Sequence, residues 1–413
     1  MIDSIYVATS GMLGHERALN VISNNISNLN TAGFRGSNVS FANVFSGTAQ
    51  NGEQNEQFVG QEGLGGGGVD ATRTLLDMRP GTPQQTGRDL DLFLQGDGFF
   101  VLQDQSGATF YTRNGGFSFN TAGVLVSSNA ATGQTLDVMS RNSSGQLVPI
   151  TLDGLKTSPA RATSTVSFQG NLSPSDTDVN NTPLTVYDQN GGAHSLTVEF
   201  VKNATLAPGA PAGTTATWTA RISEGSLQVG SAEVAFAGTQ LAPGSSSLPV
   251  SLILSGADPV DVILDFSQVN GGTTSSAGTP TTSSQVSVTS QDGYALGMIS
   301  KESFATSGAL TITYTNGQTA TGAKLVLAEI TDQDAMVELG NSLFTYNGQQ
   351  PATLREAGTD LQVNAQTLEA SNVDLTAEFS SLILAQRGYQ GSSQVVSTAN
   401  EMLQQLLDMK SGK

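Results

Sequence analysis

The sequence predicts a mainly β protein with α-helical termini, in which two β domains are nested between N- and C-terminal helices that form coiled coils. Three observations predict it. Each end carries a seven-residue apolar repeat, and the long middle is built of short runs rich in β-branched residues, punctuated by Gly and Asn. The chain is also long enough, at 413 residues and 37% hydrophobic content, for two or three packed domains.

At the N-terminus Ile5, Met12, Leu19 and Ile26 recur every seventh residue, with Ala8, Ile22 and Leu29 at companion positions and His15 the one break. At the C-terminus Leu368, Leu375, Leu382, Tyr389, Val396 and Leu403 recur in the same way, with Ser371, Ala385, Ser392, Ala399 and Leu406 between them and Glu378 the exception. A heptad keeps a narrow apolar stripe on one side of a helix, so each stripe needs a wall. Burying the six C-terminal repeat residues is worth about 9–18 kcal/mol as an upper figure. Ordering some thirty residues costs about 1–2 kcal/mol each, so neither helix is stable without a partner. The two ends meet each other, copies of themselves, or both. An ordinary helical hairpin inside one globular unit fits the periodicity equally well.

Composition narrows the class further. The net charge is -18, from 17 Lys and Arg against 35 Asp and Glu, and between Ala162 and Ser300 the only Lys or Arg residues are Lys202 and Arg221. Nucleic-acid binding is therefore not expected, and acidity favours solubility. The absence of cysteine removes disulfide, thiol and cysteine-metal chemistry. No apolar run reaches the length of a membrane-spanning helix, so no membrane insertion is expected. The first basic residue after Asp3 is Arg17, which is not the pattern of a Sec signal.

Along the chain, residues 4–30 read as a helix with Asp3 or Ser4 as N-cap and Gly33 as its stop. Residues 34–70 are rich in Gly, Ser, Asn and Gln and read as a linker. Strands are expected at Asp91–Leu94, Phe99–Leu102, Thr109–Thr112 and Val124–Ser127, then at Leu184–Tyr187, Ser195–Val201, Thr217–Ile222, Pro249–Leu254 and Val260–Phe266. Two more follow at Leu310–Thr315 and Lys324–Ile330. The expected domains are 1–33 with 359–413 (helical), 71–155 with 299–358 (a discontinuous middle β domain) and 156–298 (an outer β domain).

The candidate chemical motifs are weak. Gly63, Gly65 and Gly68 match G-x-G-x-x-G without the flanking strand and helix that a dinucleotide site needs. Asp176, Asp178 and Asn180 open like a calcium loop, but Asn181 stands at the turn glycine and Tyr187 at the bidentate glutamate. His15 and His194 read as structural, Trp218 as core. No enzyme, cofactor or metal site is expected.

One stretch is more specific. Asn24, Asn25, Asn28, Asn30, Thr31, Gly33, Phe34 and Arg35 follow the pattern N-x-x-N-N-x-[AS]-N-x-N-T-x-G-[FY]-[KR]. It closely resembles the N-terminal signature of the bacterial flagellar rod and hook axial proteins. The segment Leu368–Val396, with Ser371, Asn372, Val373, Asp374, Leu375, Gln386, Arg387 and Tyr389, resembles the C-terminal signature of the same family. Leu92–Gln103, with Tyr111, Thr112, Arg113 and Gly115, resembles its inner-domain core, and Leu184–Phe200 resembles the outer domain of the hook branch. Gly388 and Gly391 depart from the pattern by interrupting the C-terminal helix, each at a cost of about 1 kcal/mol relative to Ala. The resemblance implies a structural subunit that polymerises with itself into a curved tube around an export channel and transmits torque. It also implies neighbours, namely a distal rod protein, a hook cap protein, a hook–filament junction protein and the flagellar type III export apparatus, and an extracellular place in the flagellum. A distal rod protein or a secreted β-rich adhesin are the alternatives, the first favoured if residues 156–298 were a loop.

Overall fold

A computed structural model of the chain describes residues 2–45, 66–127, 135–206, 209–272, 283–358 and 361–411. It is mostly β, with an α-helix at each end. The chain divides into two compact units, one of Met1–Asp153, Glu302–Thr311 and Thr321–Lys413, the other of Gly154–Lys301 and Ile312–Ala320.

In the first unit, helix α1 runs Ile2–Ser27 and helix α2 runs Leu375–Ser411. Because α1 begins at Ile2, positions 3 and 4 lie within its first turn and are not its cap. Beyond Ser27 the chain turns, and Gly33 takes a positive φ of 68°. Helix α2 has a true cap: Asp374 Oδ1 accepts the Thr376 N–H at 2.8 Å and the Ala377 N–H at 3.3 Å. Strands β1 (Ser37–Phe45) and β2 (Gly66–Leu76) pair antiparallel where the composition predicts a linker. Of the glycine motif, Gly63 and Gly65 lie outside the described residues. Gly68 sits in β2 at a φ of 91°, where a side chain would strike Ser10 of α1.

The β body of this unit is a ten-stranded sheet. Its strand Phe99–Gln103 pairs with Thr109–Thr112, Asp137–Arg141 and Val326–Glu329, all antiparallel. Phe99, Val101, Met139, Val326, Ala328 and Phe344 fill one side of it. The hairpin Met336–Gly340/Leu343–Tyr346 turns through Asn341 and Ser342 at φ values of 56° and 57°, the left-handed pair that a tight two-residue turn needs. Ser342 is buried there: its Oγ donates to Ala32 O at 3.1 Å and its carbonyl accepts the Thr112 hydroxyl at 2.7 Å.

The second unit is a β-sandwich. A five-stranded sheet contains Asp178–Tyr187, Ala193–Lys202, Ala216–Glu224, Leu227–Ala237 and Gln240–Leu241 in order, and a four-stranded sheet contains Ser247–Leu252, Val260–Asn270, Thr165–Asn171 and Gln285–Gln291. Alternating inward residues of both sheets form one core around Trp218, with Phe168 stacked on Phe266 at 4.9 Å between ring centres and Phe200 edge-on to both. The calcium-like acids serve the loops instead: Asp176 accepts the Ser284 N–H at 2.6 Å, and hydrogen bonding from the Ser284 side chain first, then its backbone, holds the carboxyl below the usual range.

Candidate assembly interface and the junction at its base

The two helices pack antiparallel. Asn25 lies opposite Glu378, its Nδ2 donating to Oε1 at 2.9 Å; Ala18 and Ile22 pack on Ala385, His15 sits over Gly388, and Gly11 lies against Ser392. Each step toward the start of α1 is matched by an equal step toward the end of α2.

The seam residues distribute over this pair unevenly. Leu19, Ile22, Ile26 and Leu382 join the apolar cluster with Ala18, Ala385 and Val39. Ile5 and Met12 are half-buried along α1, as are Val396 and Leu403 along α2, and Leu29 lies in the turn just beyond α1. Leu368 is not on the helix: it belongs to the strand Thr367–Glu369, opposite Gln84. Leu375 opens α2 exposed, and Tyr389 and Leu406 are exposed as well. The two irregularities in the repeats belong together with their partners, since Glu378 meets Asn25, and His15 fits because Gly388 has no side chain.

The signature residues divide by burial. Asn25 is buried and hydrogen-bonds both ways with Ser37, at 2.8 Å and 3.0 Å, which fastens α1 to β1. Asn24 and Asn30 are exposed, while Asn28 and Thr31 are half-buried and joined at 3.1 Å. With Phe34, Glu338 and the Asn341–Ser342 turn, Asn24, Asn28 and Thr31 line a polar cleft of about 480 Å³. Burial pushes the Glu338 carboxyl up.

Below the helices lies a buried ionic cluster that no local sequence signal announces. Arg35 and Glu369 are fully buried, with Nη2 2.7 Å from Oε1, and Arg113 Nη1 lies 3.4 Å from the other carboxylate oxygen. Oε1 also accepts the Gly81 N–H at 2.7 Å, and the Glu369 carbonyl accepts the Gly33 N–H at 2.8 Å. Arg113 donates to Leu94 O at 3.2 Å and Gly96 O at 2.6 Å, and lies 5.2 Å from the centre of the Phe99 ring. Burial pulls its guanidinium down to about 10, against the opposing pull of Glu369. Gly33 is required here: a Cβ would lie 2.5 Å from the Asn114 nitrogen. Asn372 completes the junction, accepting from Gly36 N at 2.8 Å and donating to Asp77 O at 2.7 Å. Among the described residues no cluster of three or more His, Cys, Asp or Glu side chains is placed to hold a metal, and no helix is long and apolar enough to cross a membrane.

Comparison with known proteins matches this arrangement segment by segment. Residues 5–35 match the flagella basal body rod protein family, 93–173 the flagellar hook protein FlgE/F/G D1 domain, 160–294 the flagellar basal body protein FlaE D2 domain, and 364–409 the flagellar basal body rod FlgEFG protein C-terminal family. The flagellar hook protein FlgE of Treponema pallidum is 30% identical over 99% of this chain and all of its own length. The chain belongs to the flagellar hook protein family. FlgE of Salmonella typhimurium is 29% identical over 98% of this chain and 99% of its own. The crystal structure of Helicobacter pylori FlgE2 aligns with a TM-score of 0.46 at 12% identity, over 70% of this chain and all of that one, a likeness too loose to add to the argument. The hook subunit is a structural, self-polymerising component of the exported flagellum, not an enzyme. The rod alternative is not favoured, since the described strands between Thr165 and Gln291 pack into a folded sandwich and the hook relatives match from end to end.

Proposed function

We propose that the hook subunit assembles through the part of its helix pair that it cannot cover itself. The observation that carries this is the outer face and last turns of α2, where Leu384, Leu407 and Met409 are exposed by 68%, 64% and 80%. An unpartnered apolar stripe on an otherwise acidic, polar chain is a docking surface. Neighbouring copies supply the missing wall, placing α1 and α2 in an inner layer around the export channel. The β body forms the middle of a curved, flexible tube and the sandwich its outside. Firm apolar contacts near the axis transmit torque. The polar, Ser/Thr-rich outer surface makes contacts weak enough to exchange as the tube bends. At its ends the tube meets the distal rod protein, the hook cap protein and the hook–filament junction protein. The subunit leaves the cell through the flagellar type III apparatus.

The cysteine-free sequence makes the test direct. Leu384→Cys should react with a maleimide in the monomer and be protected in the polymer, whereas Leu227→Cys, at an exposed position of the sandwich, should change much less. Equal reactivity at position 384 in both states would overturn the reading.

A further inference from the structure

We propose that Glu369 is a positioning residue that fastens the bases of both terminal helices to the β body in the free subunit, before any neighbour supplies a wall for the helices. The proposal rests on the assembly reading only in that the helices above this point gain their order from neighbours.

The carboxylate stands where three distant segments cross. Arg35 follows α1, Arg113 belongs to the β body, and Glu369 itself precedes α2 by a few residues; all three side chains are at least 98% buried. Glu369 is the carboxylate paired with both guanidiniums, so the cluster holds more positive than negative charge. Its backbone and side chain also tie two loops, through the Gly33 and Gly81 amides. The neighbouring glycines leave no slack: a Cβ on Gly81 would overlap the Ala370 carbonyl, and one on Gly115 would overlap the Leu92 carbonyl. A buried charge stripped of its partner is heavily penalised, so the three segments hold together or come apart as one. This contrasts with the helix seam, whose cluster buries only Ala18, Ile22 and Ala385, each still 6–8% exposed.

Removing charge should act asymmetrically. Glu369→Gln removes the carboxylate that pairs with both buried guanidiniums and leaves them only the longer-range charges of Asp77, on Arg35, and Asp97, on Arg113. Arg113→Gln leaves one guanidinium facing one carboxylate. A merely space-filling role would make the two substitutions equally harmful, since the two side chains are equally buried.

The test is hydrogen exchange on the full-length chain, verified as monomer and then as polymer. In the wild-type monomer the amides of Gly33, Gly36, Ser37, Gly81 and Asn372 should exchange at least about tenfold more slowly than those of residues 5–22 and 380–409. Glu369→Gln should erase most of that difference while Val101 and Leu327 in the sheet keep their protection, and Arg113→Gln should erase little of it. Junction amides as fast as the helix amides in the wild-type monomer would overturn the proposal, as would equal losses in the two variants. If Glu369→Gln does not fold, the wild-type pattern and a mild Arg113→Gln effect still support the proposal, and a severe Arg113→Gln effect overturns it. The assembly reading is judged separately, by whether residues 5–22 and 380–409 gain protection on polymerisation.

Discussion

Substituting Gly388 by Ala sets helix propensity against packing at a single place in the helix pair. An isolated helix would gain about 1 kcal/mol from the change. In the α1–α2 pair the added methyl overlaps the His15 ring, which is itself held 5.6 Å from the Phe41 ring centre, so the imidazole must swing aside. Overpacking of this kind costs about 1–3 kcal/mol, so Gly388→Ala should be neutral to destabilising by about 2 kcal/mol. Gly391, exposed and with no described atom outside its own stretch of helix within 4 Å of the point where a methyl would sit, is the comparison site. The clean measurement is a double-mutant cycle with His15→Ala, read as the urea midpoint for dissociation of the polymer. The packing cost should vanish in the His15→Ala background, giving a coupling of about 1–3 kcal/mol. Additivity within about 0.5 kcal/mol would show that His15 and Gly388 do not meet in the assembled tube, and the antiparallel register would have to be abandoned.

Three other outcomes are expected. Leu382→Asp places a carboxylate in the seam cluster at a cost of at least about 2 kcal/mol and should abolish tubes in electron micrographs while both β units still melt cooperatively. The ends of the sandwich are held in register by two hydrogen bonds of 2.9 Å between Arg161 and Tyr294, so replacing residues 162–293 by a short linker should remove one calorimetric transition and leave the β body folded; loss of that body's transition would refute the boundary. His194 lies between Glu224 at 2.8 Å and Asp188 at 3.4 Å, and hydrogen bonding to Glu224 first, then Asp188, raises its pKa above 6.5. A raised histidine contributes stability fully below its unfolded value and loses it as pH rises through the folded one; the two carboxyls, both lowered, lose theirs only as pH falls through their folded values. The sandwich, followed by the fluorescence of Trp218, should therefore be more stable at about pH 6 than at pH 8, and His194→Gln should flatten the difference. An unchanged profile in His194→Gln would assign the dependence elsewhere.

What is legible in the sequence follows from which forces are local. Strands with one buried face announce themselves by alternation: the pattern predicts Val260–Phe266 and the strand runs Val260–Asn270, with Val260, Val262, Leu264 and Phe266 all inward. The heptads likewise mark both helices. The hairpin β1–β2 reads as linker because its Asn- and Gly-rich composition lacks intrinsic strand preference, and packing against α1 overrides it. Leu368 continues the repeat numerically but lies on a strand, since Asp374 caps the helix after it. Least legible is the Arg35–Glu369–Arg113 cluster, because charged residues default to the surface and nothing local marks an exception. The one available signal is that Arg35 and Arg113 both fall within the family-like motifs, each near a glycine that must approach backbone closely.

The most direct measurement is electron cryo-microscopy of the purified protein under polymerising conditions. Hollow tubes are expected, in which α1 and α2 surround the channel and Leu384, Leu407 and Met409 are buried against neighbouring copies. A protein that stays monomeric under those conditions, or a polymer in which residues 375–411 face open solvent while contacts run through the sandwich alone, would contradict it.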